Sequence, residues 1–107
     1  MDQAEAIRIA KNYITVVANV FSIERAILFG SFAKGHYHKD SDIDVALVIN
    51  NYKGDFFDLQ VELMKLRRDV DIDIEPHPFI ADDFTLADPL VNEILKYGID
   101  ITAKAAA

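Results

Sequence analysis

Residues 28–48 read LFGSFAKGHYHKDSDIDVALV, and this stretch decides the fold. It joins two apolar runs, Arg25–Phe29 and Ile43–Ile49, each short, rich in branched residues and bounded by turn formers. Such runs predict two β-strands. Between them, Gly30-Ser31 ends the first run and turns the backbone, which offers amide groups and a hydroxyl to phosphate oxygens. The turn therefore predicts a phosphate-binding site.

Asp42 and Asp44 begin the second predicted strand, two residues apart. A strand places residues i and i+2 on one face, so the two carboxylates lie about 6 to 7 Å apart. At an effective dielectric of about 20 they repel by roughly 2 to 3 kcal/mol, which a hard divalent cation such as Mg²⁺ would offset. An isolated Asp-X-Asp pair is more often solvated, but this pair follows a Gly-Ser turn. The combination predicts a metal site.

A third acidic position is expected on the next strand. Val70–Glu75 alternates strictly between apolar and acidic residues, which predicts a third strand that Pro76 and Pro78 end. Its acidic face carries Asp71, Asp73 and Glu75. We choose Asp73, which is central in the alternation, and keep Asp71 as the main alternative.

The rest of the chain predicts helices around these strands. Asp2 with Glu5 has the form of a capping box before an amphipathic helix, and Asp55 caps a second one. Its predicted inner stripe comprises Phe56, Leu59, Leu63 and Leu66, and Phe57 is also assigned to the core. Asp88-Pro89 begins a helix that Gly98 ends, with Val91, Ile94 and Leu95 on its buried side.

These elements predict the α+β class: a small mixed β-sheet with helices packed on one face. The other face, with the acidic ends of two strands, is expected to be open to solvent. Ile99–Thr102 predicts a short strand after the last helix. We expect residues 1–102 to form a single domain and residues 103–107 to be a disordered tail or a cloning remnant.

Composition excludes several classes of function. The net charge of −7 argues against stable nucleic-acid binding, which usually needs a basic face. The absence of cysteine excludes disulfides and thiolate metal sites. An acidic N-terminus and short apolar runs indicate a cytoplasmic protein without a membrane segment. At 107 residues the core is small, so a second copy or a partner could add stability as a homodimer or hetero-oligomer.

Residues 28–35 and 41–45 resemble the signature of the polymerase-beta-type nucleotidyltransferase superfamily. That signature begins with an apolar residue followed by Gly-Ser. After a spacer of about ten residues it continues with the run Asp-apolar-Asp-apolar. The short chain is most similar to the minimal nucleotidyltransferases encoded beside HEPN-domain toxins. In the resembled family the third acid precedes a strand-ending proline, as Asp73 precedes Pro76 here.

The resemblance also implies roles for these residues. Asp42, Asp44 and Asp73 would be catalytic and would hold two Mg²⁺ ions, while Gly30 and Ser31 would bind the triphosphate of ATP. Lys34 would be a further nucleotide contact at a position where arginine is common, and lysine lacks the bidentate geometry of arginine.

The implied activity is transfer of AMP from ATP to a hydroxyl of a HEPN toxin, so that the chain would act as an antitoxin. A non-catalytic module that occludes its partner is the alternative. Transfer to a small molecule such as an antibiotic ranks lower, since such relatives carry an additional substrate domain. His36, His38 and His77 show no zinc-ligand spacing. Together with Lys34 and Lys39, His36 and His38 lie in the loop before the second strand, where they could steer the triphosphate or an acceptor, although we favour solvated loop residues.

Overall fold

The computed structural model describes residues 1–103 of the chain. Its regular elements are α1 (Gln3–Ala18), β1 (Ser22–Phe29), α2 (Ser31–Lys34), β2 (Ile43–Asn50), α3 (Phe56–Leu66), β3 (Ile74–Ile80), α4 (Pro89–Tyr97) and β4 (Ile99–Asp100). Short 3₁₀ turns lie at Arg67–Asp69 and Ala81–Asp83. Of the predicted tail, residues 104–107 lie outside the described part. Within residues 1–103, no helix has both the length and the apolar character needed to cross a membrane.

The strands form one mixed sheet in the order β3-β2-β1-β4. β1 pairs antiparallel with both β2 and β4, whereas β2 and β3 are parallel. The parallel pair follows from the connection through α3, because two parallel neighbours need a crossover rather than a hairpin. The predicted mixed sheet is confirmed, and the short strand after α4 lies at its edge.

Each long helix begins at the acidic residue that the sequence indicates. The Asp2 carboxylate accepts from the Glu5 amide at 2.8 Å, and Asp55 accepts from the amide of Phe57 at 2.7 Å. Asp88 accepts from the Leu90 amide at 2.9 Å, and proline occupies the first turn of that helix. These bonds satisfy amides that have no partner inside the helix.

The main core lies between one face of the sheet and the helices α1 and α3. Alternate side chains of β2 point into it, as predicted, and Tyr13 of α1 is fully buried there. Its hydroxyl donates to the Leu63 carbonyl of α3 at 2.7 Å. A buried hydroxyl is tolerated in an apolar core because it has this partner.

The opposite face of the sheet is partly covered, which differs from the predicted one-sided arrangement. Ile94 of α4 packs with Ile27 and Phe29 of β1 and with Ala46 of β2. The last four residues of β1, 26–29, are all apolar and buried. Since they point alternately to both faces of the sheet, both faces need cover.

Three side chains assigned to the core are exposed instead. Phe56 and Phe57 point away from the core at the beginning of α3, and Leu95 is exposed on α4. The other predicted members of the α3 stripe, Leu59, Leu63 and Leu66, do pack against the core, so the error in α3 is confined to its first turn.

The third strand begins four residues later than predicted and contains both prolines. Ile43 of β2 donates its N–H to the Asp73 carbonyl at 2.8 Å. Successive residues of a strand point their N–H and C=O groups to opposite sides. Residues 75, 77 and 79 therefore direct these groups to β2, while Pro76 and Pro78 direct theirs away from it. Because β3 is an edge strand, the missing N–H groups remove no ladder bond. The predicted strand Val70–Glu75, ended by the prolines, is therefore wrong.

Candidate active site

Gly30 lies at the end of β1, directly against Asp44. Phe29 is paired with Asp44 in the β1–β2 register, and Gly30 has φ of +76°. A Cβ at this position would overlap the Asp44 Oδ2 atom. Glycine is thus required twice, by a backbone conformation that L side chains disfavour and by the close approach of a carboxylate. The structure brings the Gly-Ser turn and Asp44 together.

The other oxygen of Asp44 is held by His77. The His77 Nε2 atom lies 3.0 Å from Asp44 Oδ1, and both side chains are half-buried. An ionised carboxylate can only accept, so Nε2 carries the hydrogen and donates. The imidazole also makes an edge contact with Phe29, with ring centroids 4.8 Å apart. These contacts fix the orientation of the Asp44 carboxylate.

The remaining predicted acids lie at the same end of the sheet. Asp42 and Asp73 immediately precede the paired residues Ile43 and Ile74, and both acids are exposed. Asp71 accepts from the Asp73 amide at 2.8 Å and so shapes the turn before β3. In residues 1–103 no three His, Asp or Glu side chains are grouped closely enough to hold a metal ion. The structure therefore does not assemble the three predicted acids into a ligand cluster.

Comparison with known proteins gives the family. A family model described as "Polymerase beta, Nucleotidyltransferase" matches residues 11–104. The chain belongs to this nucleotidyltransferase family. The match covers β1, the Gly-Ser turn and β2 as well as the elements that follow them.

Two proteins resemble this chain, one in sequence and one in fold. A Methanocaldococcus jannaschii protein named "putative protein adenylyltransferase MJ0141" is 26% identical over 99 residues, covering 91% of this chain and 99% of the relative. A crystal structure of a "putative nucleotidyltransferase" from Sulfolobus solfataricus matches with a TM-score of 0.66 and 22% identity. That match covers 92% of this chain and 80% of the other, and it shows the shared fold.

His77 is the residue that the sequence reasoning missed. It lies between two prolines, and the sequence predicts that the strand ends before it. In this nucleotidyltransferase it pairs with Ala46 in the β2–β3 register and therefore shares a face with Asp44. Continuing the alternation of Asp73 and Glu75 through the prolines would have placed His77 on this face.

The two other predicted nucleotide contacts lie on α2. Ser31 is its first residue and is half-buried, and Lys34 is its last. The Lys34 Nζ atom lies 2.5 Å from Glu93 Oε1 and 5.0 Å from the centre of the Tyr97 ring. Beside this ion pair is a cavity of about 600 Å³ that Ala33 and His36 also line. In this structure Lys34 is thus engaged with α4.

The carboxylates of Asp42 and Asp44 have the donor chemistry that a hard divalent cation requires. The Asp44 Oδ2 atom lies against Gly30, where any other residue would place its Cβ, while Oδ1 is occupied by His77. Carboxylate oxygens are the ligands that Mg²⁺ prefers, and Mg²⁺ typically takes only one or two of them from the protein. Asp44 with Asp42 could supply that number.

Proposed function

We propose that this nucleotidyltransferase is a Mg²⁺-dependent protein adenylyltransferase that moves AMP from ATP to a hydroxyl of a partner protein. We further propose a HEPN-domain toxin as the partner, so that the chain serves as an antitoxin. The name of the Methanocaldococcus jannaschii relative supports protein adenylylation. The observation that carries the proposal is the contact between the Gly30 turn and Asp44.

In this proposal the acids bind the cation and the turn binds the phosphates. Asp42 and Asp44 would hold Mg²⁺, and Asp73 would contribute on the acceptor side. Bound Mg²⁺ would neutralise triphosphate charge and stabilise the charge that develops in phosphoryl transfer. His77 keeps the Asp44 carboxylate oriented, at 3.0 Å from one of its oxygens. Preorganised ligands of this kind need no rearrangement during the reaction.

The backbone amide of Gly30 and the hydroxyl of Ser31 would bind the β- and γ-phosphates. Only a glycine lets the backbone come this close to the acid at position 44. Lys34 would exchange its ion pair with Glu93 for a phosphate contact, because both partners of that pair are substantially exposed. The acceptor hydroxyl oxygen would form a bond to the α-phosphorus as the bond to pyrophosphate breaks.

The test measures transfer of label. Purified protein, a candidate partner encoded by a neighbouring gene, Mg²⁺ and ATP labelled at the α-phosphate should yield a labelled partner, and we expect that partner to contain a HEPN domain. Asp42→Asn and Asp44→Asn should each abolish labelling, whereas Asp40→Asn, which removes the same charge from a neighbouring exposed residue, should not. Labelling that persists in both active-site variants, or no labelling by a folded protein, would overturn the proposal.

The same variants separate an enzyme from an occluding module. An Asp42→Asn, Asp44→Asn double variant that still binds the partner should fail to neutralise it. Full neutralisation by this variant would show that occlusion is sufficient and that nucleotide transfer is not the protective activity.

A further inference from the structure

Helix α3 carries two apolar stripes, and only one of them is used by the core. Leu59 and Leu63 are fully buried against the sheet and α1. Phe57, Val61 and Met64 form a second stripe at i, i+4 and i+7, about 200° around the helix from the first. Phe57 is 68% exposed. Val61 and Met64 are half-buried. A surface helix needs a single apolar stripe, so the outer stripe is only partly covered within residues 1–103.

The outer stripe forms one wall of a groove. Ile72, which is 73% exposed, lies across from it in the turn before β3. Together they line a groove of about 520 Å³. Exposed apolar side chains that gather in this way mark interaction sites more often than scattered ones do.

The border of the groove is basic although the chain is acidic. Lys65 and Arg68 line it with exposed side chains. The whole chain carries a net charge of −7, so this cluster has the opposite sign to most of the surface. A ligand with carboxylates beside apolar groups would complement this border. A second copy of the chain would fit it less well, because two chains of net charge −7 repel each other.

The groove ends beside the candidate active site. Ile72 is the neighbour of Asp73, whose carbonyl accepts the N–H of Ile43 at the start of β2. A segment bound along α3 would therefore leave the groove at the end of the sheet where Asp42 and Asp73 lie.

We propose that this groove docks an amphipathic helical segment of the protein acceptor, with apolar side chains on the outer stripe of α3 and carboxylates at Lys65 and Arg68. Helix-in-groove recognition uses such spaced apolar anchors, and charge complementarity sets orientation and partner choice. The inference rests on the proposed function only in assigning the segment to the acceptor. Docking itself does not require nucleotide transfer.

The test uses two designed helical peptides of about four turns, each with leucines at i, i+3, i+4 and i+7. One has glutamates beside the leucines and the other has lysines at the same positions. Binding is followed by fluorescence anisotropy against the full chain carrying Asp44→Asn, which separates docking from catalysis. The glutamate peptide should bind at least about tenfold more tightly than the lysine peptide, and added salt should reduce the difference.

Variants locate the binding surface. Ile72→Asp should weaken binding of the glutamate peptide about tenfold, and a Lys65→Glu, Arg68→Glu variant should reverse the preference between the two peptides. Leu86→Asp is the matched control, because Leu86 is 68% exposed but lies outside the groove, and it should change nothing. All four changed side chains are exposed, so the fold should persist.

The docking proposal would be overturned by absence of saturable binding, by equal binding of the two peptides, or by binding that Ile72→Asp does not change. Self-association that Ile72→Asp abolishes would also overturn it, and would assign the groove to a second copy. If the protein transfers label to its partner but the peptides do not bind, only the docking proposal is refuted. If the peptides bind but no label is transferred, only the proposed enzymatic function is refuted.

Discussion

At the scale of single residues, the two carboxylate oxygens of Asp44 contact two different neighbours. Oδ1 accepts a hydrogen bond from His77, and Oδ2 borders Gly30. The first contact sets the orientation of the side chain, and the second leaves one oxygen beside the turn. Substitutions at the two neighbours should therefore affect different properties of the site.

Gly30→Ala should destabilise the protein and displace Asp44. We expect a loss of about 1 to 3 kcal/mol from the positive φ, together with loss of Mg²⁺ binding because the new Cβ would overlap the carboxylate. Urea unfolding and Mn²⁺ titration, with Mn²⁺ as a probe for Mg²⁺, measure the two effects. Gly35→Ala is the control, since Gly35 has φ of +79° but a Cβ there would meet nothing within 4 Å. It should lose stability and keep metal binding; equal metal loss in both variants would contradict the interpretation.

His77→Ala should weaken metal binding without unfolding the chain. Removing a partner that orients a metal ligand typically costs about 10- to 100-fold in affinity, and we expect about tenfold for this half-buried pair. His77→Gln retains an N–H donor and should recover part of the loss. His36→Ala, which removes an exposed histidine, should bind Mn²⁺ normally. If His77→Ala also bound normally, the hydrogen bond to Asp44 would have no positioning role.

At the scale of elements, β3 depends on a bond from outside the sheet. Its outward backbone groups have no neighbouring strand, and the Arg67 guanidinium donates to the Ile74 carbonyl at 2.8 Å. The same side chain lies 3.7 Å from Glu75. A single arginine thus ties the 3₁₀ turn after α3 to the start of β3.

Arg67→Met should destabilise the protein by about 2 kcal/mol, because hydrogen bonds to charged groups contribute about 1.5 to 3 kcal/mol. Methionine keeps much of the apolar stem, so the change mainly removes the donor. The neighbouring Arg68→Met removes an exposed side chain and should stay within about 0.5 kcal/mol of the original. Urea unfolding of both proteins provides the comparison, and equal stabilities would refute a role for the Arg67 bond.

At the scale of the whole molecule, the hydroxyl of Tyr13 connects α1 to α3 across the main core. It is fully buried and donates to the Leu63 carbonyl. Burial raises the pKa of Tyr13 well above its ordinary value, and the positive charge of Arg67 only partly opposes this. The phenol therefore keeps its proton in the folded state under conditions in which the unfolded chain releases it.

The raised pKa predicts loss of stability in alkali. In the unfolded chain the tyrosine pKa is about 10. Below this pH both the folded and the unfolded state keep the Tyr13 proton, so this group does not make stability depend on pH. Above it the unfolded state binds fewer protons than the folded state, so the free energy of unfolding falls as pH rises. Tyr13→Phe should lose about 1 kcal/mol at neutral pH and show a smaller alkaline slope. The control Tyr97→Phe changes an exposed tyrosine, and identical slopes for Tyr13→Phe and the original would contradict the prediction.

Local features of the fold were predictable because neighbouring residues decide them. Asp2, Asp55 and Asp88 cap helices through amides two or three residues away, so their side chains indicated where each helix begins. The turn at Gly30 and the first two strands likewise depend on residues adjacent in the chain. The family signature lies within this local region, and the family model supports that identification.

Features that depend on distant segments were missed. Pro76 and Pro78 are compatible with a strand only because β3 lies at the sheet edge in a parallel register that turns their nitrogens outward. The same register placed His77 on the face of Asp44. The predicted stripe Leu59, Leu63 and Leu66 does pack against the core, whereas the exposure of Phe56 and Phe57 was not predicted. The cover of the second sheet face depended on α4.

The amino-acid order by itself determined the helix starts, the glycine-serine turn and the spacing of the two aspartates, since hydrogen bonds and backbone dihedral preferences over a few residues suffice for them. Only the tertiary structure decided that a histidine orients Asp44, that prolines enter a strand and that α3 exposes an apolar stripe. These outcomes depend on which strand lies beside which and in what register. That choice is set by the packing of side chains far apart in the chain.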